Sequence, residues 1–319
     1  MAIQWFPGHM NATKKAISAR IKNIDVVIEM LDARLPGSSA NPMLAELTAG
    51  KPSVKVLNKQ DIADANRTSM WLAHYNAQPG TLAIGLDASA ISPTKALMAA
   101  CYELAPTRVG LDRPMRVLIC GVPNVGKSTL INTIAGKRAA KTGDEAGITK
   151  NEQRIDLAKD FYLFDTPGML WPRIIVLESG YNLAASGAIG RNAYEDDDVA
   201  LELLRYLKLN YPAMLKERYK IDDPATKEDI DLLEAVGRKR GALLGGKRVD
   251  LQKSAEIVIH DFRSATLGRI TLETPKEFLQ WLTIGQAKDA ERQVKKDALE
   301  ALRKKKVKKP RVVAEDSAS

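Results

Sequence analysis

Val117-Leu118-Ile119-Cys120-Gly121-Val122-Pro123-Asn124-Val125-Gly126-Lys127-Ser128 is an apolar run of strand type that ends in a glycine-bounded loop and a Lys-Ser pair. The glycines and the Lys-Ser pair match the phosphate-loop pattern, in which backbone N–H groups wrap a β-phosphate and the N-terminus of the following helix faces the anion. Pro123, Asn124, Val125, Gly126, Lys127, Ser128 and Thr129 are therefore the expected nucleotide contacts. Lys127 would bridge the β- and γ-phosphates, and Ser128 would ligate Mg²⁺. A strand that feeds a loop and then a helix predicts an open α/β sheet.

Working outward toward the N-terminus, Asn58-Lys59-Gln60-Asp61 follows the apolar run Val54 to Leu57. A tetrapeptide there emerges at the carboxyl end of a strand, where open α/β sheets bind ligands. The Asp61 carboxylate can accept hydrogen bonds from the ring N–H and the amino group of guanine, whereas adenine presents a lone pair. Leaving a buried acceptor unpaired costs about 1–3 kcal/mol, which discriminates between the bases. Asn58 would brace the loop, and Lys59 would lie along the base. Alone, Asn-Lys-x-Asp is an ordinary polar turn; with a phosphate loop it specifies guanine, and GTP and GDP are the expected ligands.

Toward the C-terminus, Asp165-Thr166-Pro167-Gly168 closes the run Phe161 to Phe164. Asp165 would hold Mg²⁺ through water, and the Gly168 N–H would sense the γ-phosphate. Thr149, between the two loops, is the expected second Mg²⁺ hydroxyl. The loop supporting guanine O6 should follow Thr81 to Leu86, but Leu86-Asp87-Ala88 departs from the usual Ser-Ala. Met169 occupies the position of the water-orienting glutamine of small GTPases, and no arginine finger is recognisable, so unassisted hydrolysis should be slow.

The wider pattern supports this frame. Strands are expected at Asp25 to Met30, Val54 to Leu57, Thr81 to Leu86, Met115 to Cys120, Asn151 to Leu157 and Phe161 to Phe164, with helices such as Met10 to Ile21 and Lys127 to Ala135 between them. Alternation of this kind predicts an α/β fold with a mostly parallel sheet. After Glu178, amphipathic helices replace strands: Val199, Leu203, Leu204 and Leu207 form one apolar face, and Ala255, Val258, Ile259 and Phe262 another. Thr226 and Asp229 have capping-box spacing before Ile230, Leu233 and Val236. The expected division is a nucleotide-binding domain over 1–176, a small all-α domain over 177–287, and a basic tail, helical or disordered, over 288–319.

Net charge is +9, and from Lys288 to Arg311 eleven Lys or Arg stand against four Asp or Glu. Such a segment is either a solvated tail or a polyanion contact. No apolar run reaches the 18 residues that a membrane span requires, and Met1 to Met10 lack a secretory pattern, so a soluble, cytoplasmic protein with no membrane partner is expected. Cys101 and Cys120 have neither framework nor metal-ligand spacing and read as small buried residues.

The guanine tetrapeptide preceding the phosphate loop, with Trp5-Phe6-Pro7-Gly8-His9-Met10, Asp32-Ala33-Arg34-Leu35-Pro36, Leu170-Trp171-Pro172, Asp261-Phe262-Arg263 and Gly268-Arg269, resembles the circularly permuted GTPases, and among them the ribosome biogenesis GTPase A family. The resemblance covers about residues 1 to 275. It implies a GTP-hydrolysing factor in maturation of the large ribosomal subunit, stimulated by ribosomal particles and released on hydrolysis. It implies that the helical domain contacts ribosomal RNA, with the basic tail as a second candidate. It also makes His9 the candidate for orienting the attacking water on an N-terminal segment ordered by a partner, although a lone His beside Pro-Gly is commonly a local structural residue. Asn124 is the residue type that holds K⁺ in similar potassium-dependent GTPases. Two other readings stay open: an RNA-binding scaffold with GTP as a structural ligand, and a GTPase serving tRNA modification or signalling.

Overall fold

A computed structural model describes residues 3–87, 93–108, 110–135 and 153–307, with the side chains of His9, Gln153, Ala301 and residues 303–307 outside the description. Helix α1 (His9–Arg20) leads into β1 (Val26–Asp32), α2 (Pro42–Leu47), β2 (Ser53–Asn58), α3 (Ala65–Asn76), β3 (Thr81–Gly85) and α4 (Pro93–Leu104). Then come β4 (Met115–Gly121), α5 (Lys127–Ala135), β5 (Gln153–Ala158) and β6 (Phe161–Asp165). Each of the six expected strands is present, displaced by at most two residues at either end.

The strands form one sheet in the order β3-β2-β1-β4-β6-β5, with only β5 antiparallel to its neighbour. β1 sits at the centre, every residue buried, because helices cover both faces of a parallel sheet and a central strand must be apolar on both sides. Of its two carboxylates, Glu29 is compensated by an ion pair with Lys55 and by the Asn41 N–H at 3.0 Å, and Asp32 by Arg34 and Lys59. From β1 the chain winds outward through β2 and β3; from β4 it winds the other way through β6. The winding reverses between β1 and β4, and the crevice at such a switch point is where nucleotides bind. The phosphate loop and the guanine tetrapeptide both open onto that end of the sheet.

Beyond β6 the described chain is helical: α6 (Leu177–Ser186), α7 (Asp196–Asn210), α8 (Pro212–Tyr219), α9 (Asp229–Arg240), α10 (Leu251–Arg263) and α11 (Pro275–Val307). The expected apolar faces of α7 and α10 are buried, with Ala200 added to the first. The capping box before α9 does not form. Glu228 is the N-cap and makes no side-chain cap bond, Thr226 Oγ1 donates back to the Asp223 carbonyl at 2.9 Å, and Ile230 is exposed while Leu232 is buried in its place.

After α10 the chain returns to the sheet. The Ile270 N–H donates to the Ile62 carbonyl at 3.3 Å, the Leu272 N–H to the Arg34 carbonyl at 2.7 Å, and Thr271 Oγ1 to the Ala33 carbonyl at 2.9 Å. Trp71 of α3 then stacks edge-on against Phe278, ring centres 5.9 Å apart, and donates Nε1 to the Glu273 carbonyl at 3.0 Å. α11 runs through residue 287 without a break, so of the two forms expected for the tail the helical one holds as far as Val307. Residues 308–319 lie outside the described residues. No helix among the described residues is long and apolar enough to cross a membrane.

Candidate functional site

The phosphate loop between β4 and α5 and the tetrapeptide after β2 are joined directly. Asn58, 1% exposed, donates Nδ2 to the Val125 carbonyl at 2.7 Å. Lys59 donates Nζ to the Asn124 carbonyl at 2.8 Å and to Asp32 Oδ2 at 2.8 Å. Lys59 and Asn124 both take the left-handed backbone conformation, with φ of +63° and +56°, which non-glycine residues adopt at a cost. Two strained residues that hold each other mark a junction whose geometry is enforced by its surroundings. Asp61, in the short turn Gln60–Ile62 that follows, is exposed. The Gln60 N–H donates to the Leu86 carbonyl at 3.4 Å, which draws the loop after β3 alongside; Ala88 lies outside the described residues.

Lys127 and Asp165 form a buried ion pair at the base of the phosphate loop. Burial raises the Asp165 carboxyl above the usual carboxylate range, and the Lys127 ammonium works against that rise. Lys127 engages Oδ1, while Oδ2 is buried and has no hydrogen-bond partner. An orphaned anionic oxygen beside the phosphate loop fits a cation. Ser128 follows Lys127 in the first turn of α5, and Thr149 lies outside the described residues.

Gly168 meets the phosphate loop so closely that a Cβ there would sit 2.9 Å from Pro123 Cα, so only glycine fits. Its neighbour is fixed on both sides: the Met169 N–H donates to the Gly121 carbonyl at 3.0 Å, and Asn41 Nδ2 donates to the Met169 carbonyl at 2.7 Å. The Met169 side chain is 1% exposed and faces core rather than nucleotide. His9 opens α1, and its imidazole lies outside the described residues. The backbone nevertheless brings it near the stretch that begins with Asp165-Thr166-Pro167-Gly168, the second switch, because the sulfur of Met10 accepts from the Leu170 N–H at 3.4 Å. The N-terminal segment is anchored to the body from Ile3 onward. Gln4 exchanges two 2.9 Å hydrogen bonds with the backbone of Ile174, and Ile3 is buried.

Residues that motif reading left without a role complete the site. Asp32 accepts from Arg34 Nη2 and Lys59 Nζ, both at 2.8 Å; burial alone would raise its carboxyl, but these two cations hold it well below the usual range. Arg34 lies over the Phe262 ring, 4.8 Å from its centre, which links the nucleotide side to α10. Asn124 Nδ2 donates to the Gly187 carbonyl at 2.8 Å, where α6 ends, and Arg263 caps the same end by donating to the Ala184 and Ala185 carbonyls at 2.7 and 2.8 Å. The phosphate loop is thus wired to the helical part through side chains. The Asp32-x-Arg34 spacing was the one available sequence signal for this. Cys101 and Cys120 are buried and their thiols are pushed up by burial, Cys101 to about 12, as suits core residues.

Comparisons with known proteins agree with this geometry. A family described as 50S ribosome-binding GTPase matches residues 116–239, starting in the strand that delivers the phosphate loop and leaving β1 to β3 outside the match. Ribosome biogenesis GTPase A of Bacillus cereus is 44% identical over 87% of this chain and 96% of its own length. That of Priestia megaterium is 41% identical over 87% and 98%. Among solved structures, YlqF from T. maritima with bound GNP superposes with a TM-score of 0.57 at 25% identity, covering 83% of this chain and 98% of that one. With a guanine tetrapeptide ahead of its phosphate loop and relatives matched across nearly their full length, the chain belongs to the ribosome biogenesis GTPase A family.

Proposed function

We infer that this protein hydrolyses GTP as an assembly factor of the large ribosomal subunit, with turnover slow alone and raised by the particle it docks on. The observation that carries the reading is the Asn58–Val125 and Lys59–Asn124 junction, which puts a guanine-reading carboxylate and a phosphate cradle in one crevice. In the GTP complex Lys127 would leave Asp165 for the phosphates. Asp165 Oδ2, through water, and Ser128 Oγ would then hold Mg²⁺, with Thr149 as a further ligand. Bound there, the ion would neutralise charge on the β- and γ-phosphates. The Gly168 N–H would report the γ-phosphate through a backbone already in contact with Pro123.

The buried Met169 cannot orient water, and His9 is the proposed substitute, since Met10 beside it touches the second switch. The donor half of the Asn124 amide is engaged by Gly187, so Oδ1 is the atom that would face K⁺. Ribosomal RNA is the proposed ligand of the helical part and the basic stretch that follows, and the cytoplasm the proposed compartment.

Multiple-turnover GTP hydrolysis with and without purified large ribosomal subunits, in K⁺ and in Na⁺, tests the reading. Subunits should raise the wild-type rate at least tenfold and K⁺ should exceed Na⁺, while His9→Ala keeps nucleotide affinity and loses the stimulated rate. Subunit binding without any rise in rate would favour a scaffold instead, and absence of subunit binding would point to another partner.

A further inference from the structure

A cleft of about 520 Å³ opens on the side of the molecule where three distant segments meet. Its lining includes Gln4 from the N-terminus, Arg173 from the linker after the second switch, and Gly285, Lys288, Asp289 and Arg292 from α11. Three cations face one carboxylate. Asp289 pairs with Arg173, each about one-third exposed, while Lys288 and Arg292 are exposed at the rim. The two rim cations are four residues apart, so they stand on one face of the helix.

The surroundings say what such a cleft would take. From residue 290 to 300 every residue of α11 is exposed, so the helix leaves the body. In sequence, residues 288–302 carry four Lys or Arg against four Asp or Glu, and the Lys and Arg excess falls at 303–311. At 1.5 Å per residue the 33 residues of α11 span about 50 Å. A cleft with three cations around one carboxylate, at the root of a helix whose sequence continues into a basic stretch, suits a regularly spaced polyanion. Relatives at 41–44% identity are matched over 96–98% of their own length by 87% of this chain, so part of this chain has no counterpart in them.

The cleft is also tied to the nucleotide site. Its linker wall begins four residues after Gly168. Gln4 clamps that wall through both hydrogen bonds to Ile174, five residues before His9. On the other side α11 lies so close that a Cβ at Gly285 would be 2.6 Å from the Ile175 carbonyl oxygen. Anything that shifts α11 against the linker is therefore transmitted to the γ-phosphate sensor and to the His9 segment together.

We propose that this cleft binds a backbone phosphate of an RNA strand, with Lys288 and Arg292 as its first contacts and Arg173 released to it from Asp289, and that occupancy stimulates GTP hydrolysis through the Gln4–Ile174 clamp. The proposal rests on the ribosomal reading and adds the site through which RNA acts on turnover.

The test uses the full chain, a fluorescein-labelled RNA hairpin and purified large subunits. Lys288→Glu with Arg292→Glu should leave intrinsic GTP turnover unchanged, weaken hairpin binding about tenfold and lower the log Kd against log salt slope by about 0.7–0.9, as expected for one lost phosphate contact. The charge-keeping pair Lys288→Arg with Arg292→Lys should bind as wild type, which separates charge from helix damage. Gln4→Ala should bind the hairpin normally and lose most of the subunit-stimulated rate.

Wild-type hairpin affinity and salt slope in the Glu pair would overturn the site. Stimulation of turnover by inorganic phosphate alone would overturn its assignment to a strand. Full stimulation of Gln4→Ala would overturn the coupling. If subunits stimulate wild type and the Glu pair equally, the cleft fails and the ribosomal reading stands; if they stimulate neither, the ribosomal reading fails, and hairpin binding still decides the cleft.

Discussion

Asp61 is the residue we propose to read the base. Its exposed carboxylate has two acceptors, and guanine is the base that offers two adjacent donors. Asp61→Ala should weaken GTP binding by about tenfold to a hundredfold, in line with an unmatched polar contact worth about 1–3 kcal/mol. Asp61→Asn should instead turn preference toward xanthosine triphosphate, whose ring carbonyl accepts from an amide. Competition against a fluorescent GTP analogue measures both, and undiminished GTP affinity in Asp61→Ala would remove the residue from recognition. Asn58 and Lys59 act differently. Both reach the phosphate loop rather than lying open to solvent, so substituting either should loosen guanine and phosphate binding together.

Among the elements, β1 is the strand whose end carries most. Asp32 at its last position is 2% exposed and bonded to Arg34 and Lys59, and Arg34 reaches across to α10. Removing one partner of a buried ion pair leaves an uncompensated charge and typically costs about 3–5 kcal/mol. Because Lys59 remains, Arg34→Ala should lie at the low end, about 3 kcal/mol in urea unfolding; a loss under about 1 kcal/mol would show that the pair is not structural.

The strands were legible because a sheet covered on both faces demands uninterrupted apolar runs, as in Val26-Val27-Ile28, and the two loops because their chemistry is local in sequence. Gln4–Ile174 and Ser38–Glu273 were not legible, since their partners are 170 and 235 residues apart and neither pair belongs to a repeating pattern. The cap of α9 was misread for a related reason: Thr226 has a nearer acceptor at Asp223, and local competition of this kind decides which bond a short hydroxyl makes. The second Mg²⁺ hydroxyl, Thr149, was placed by serial order alone and lies outside the described residues.

At the scale of the whole molecule, Glu273 is the buried keystone between the sheet part and the helices. It accepts from the Ser38 N–H at 2.7 Å, from the Ser38 hydroxyl and from Asn182 at 3.2 Å, yet burial raises its carboxyl to about 7. The folded state therefore binds a proton that the unfolded chain, near 4.5, has already released. Its contribution to stability is full below about pH 4.5, falls as pH rises toward 7 and is flat above. Glu273→Gln should abolish that slope in denaturation midpoints taken across this range, whatever it does to absolute stability. A wild-type slope retained in the variant would assign the dependence to other groups.

The reversal of winding between β1 and β4 has a consequence for how the chain is made. The two central strands pair in register from Val26 with Val117 to Met30 with Gly121, so each contact joins residues 91 apart. A nascent chain that has emerged only as far as Gly85 holds β1, β2 and β3 with one edge of the mostly apolar β1 still unpaired. Such an edge is the part of a sheet most prone to wrong partners, and it stays open until translation delivers β4. The strand that closes it also brings the phosphate loop, so vectorial synthesis makes nucleotide competence and protection from misassembly arrive together.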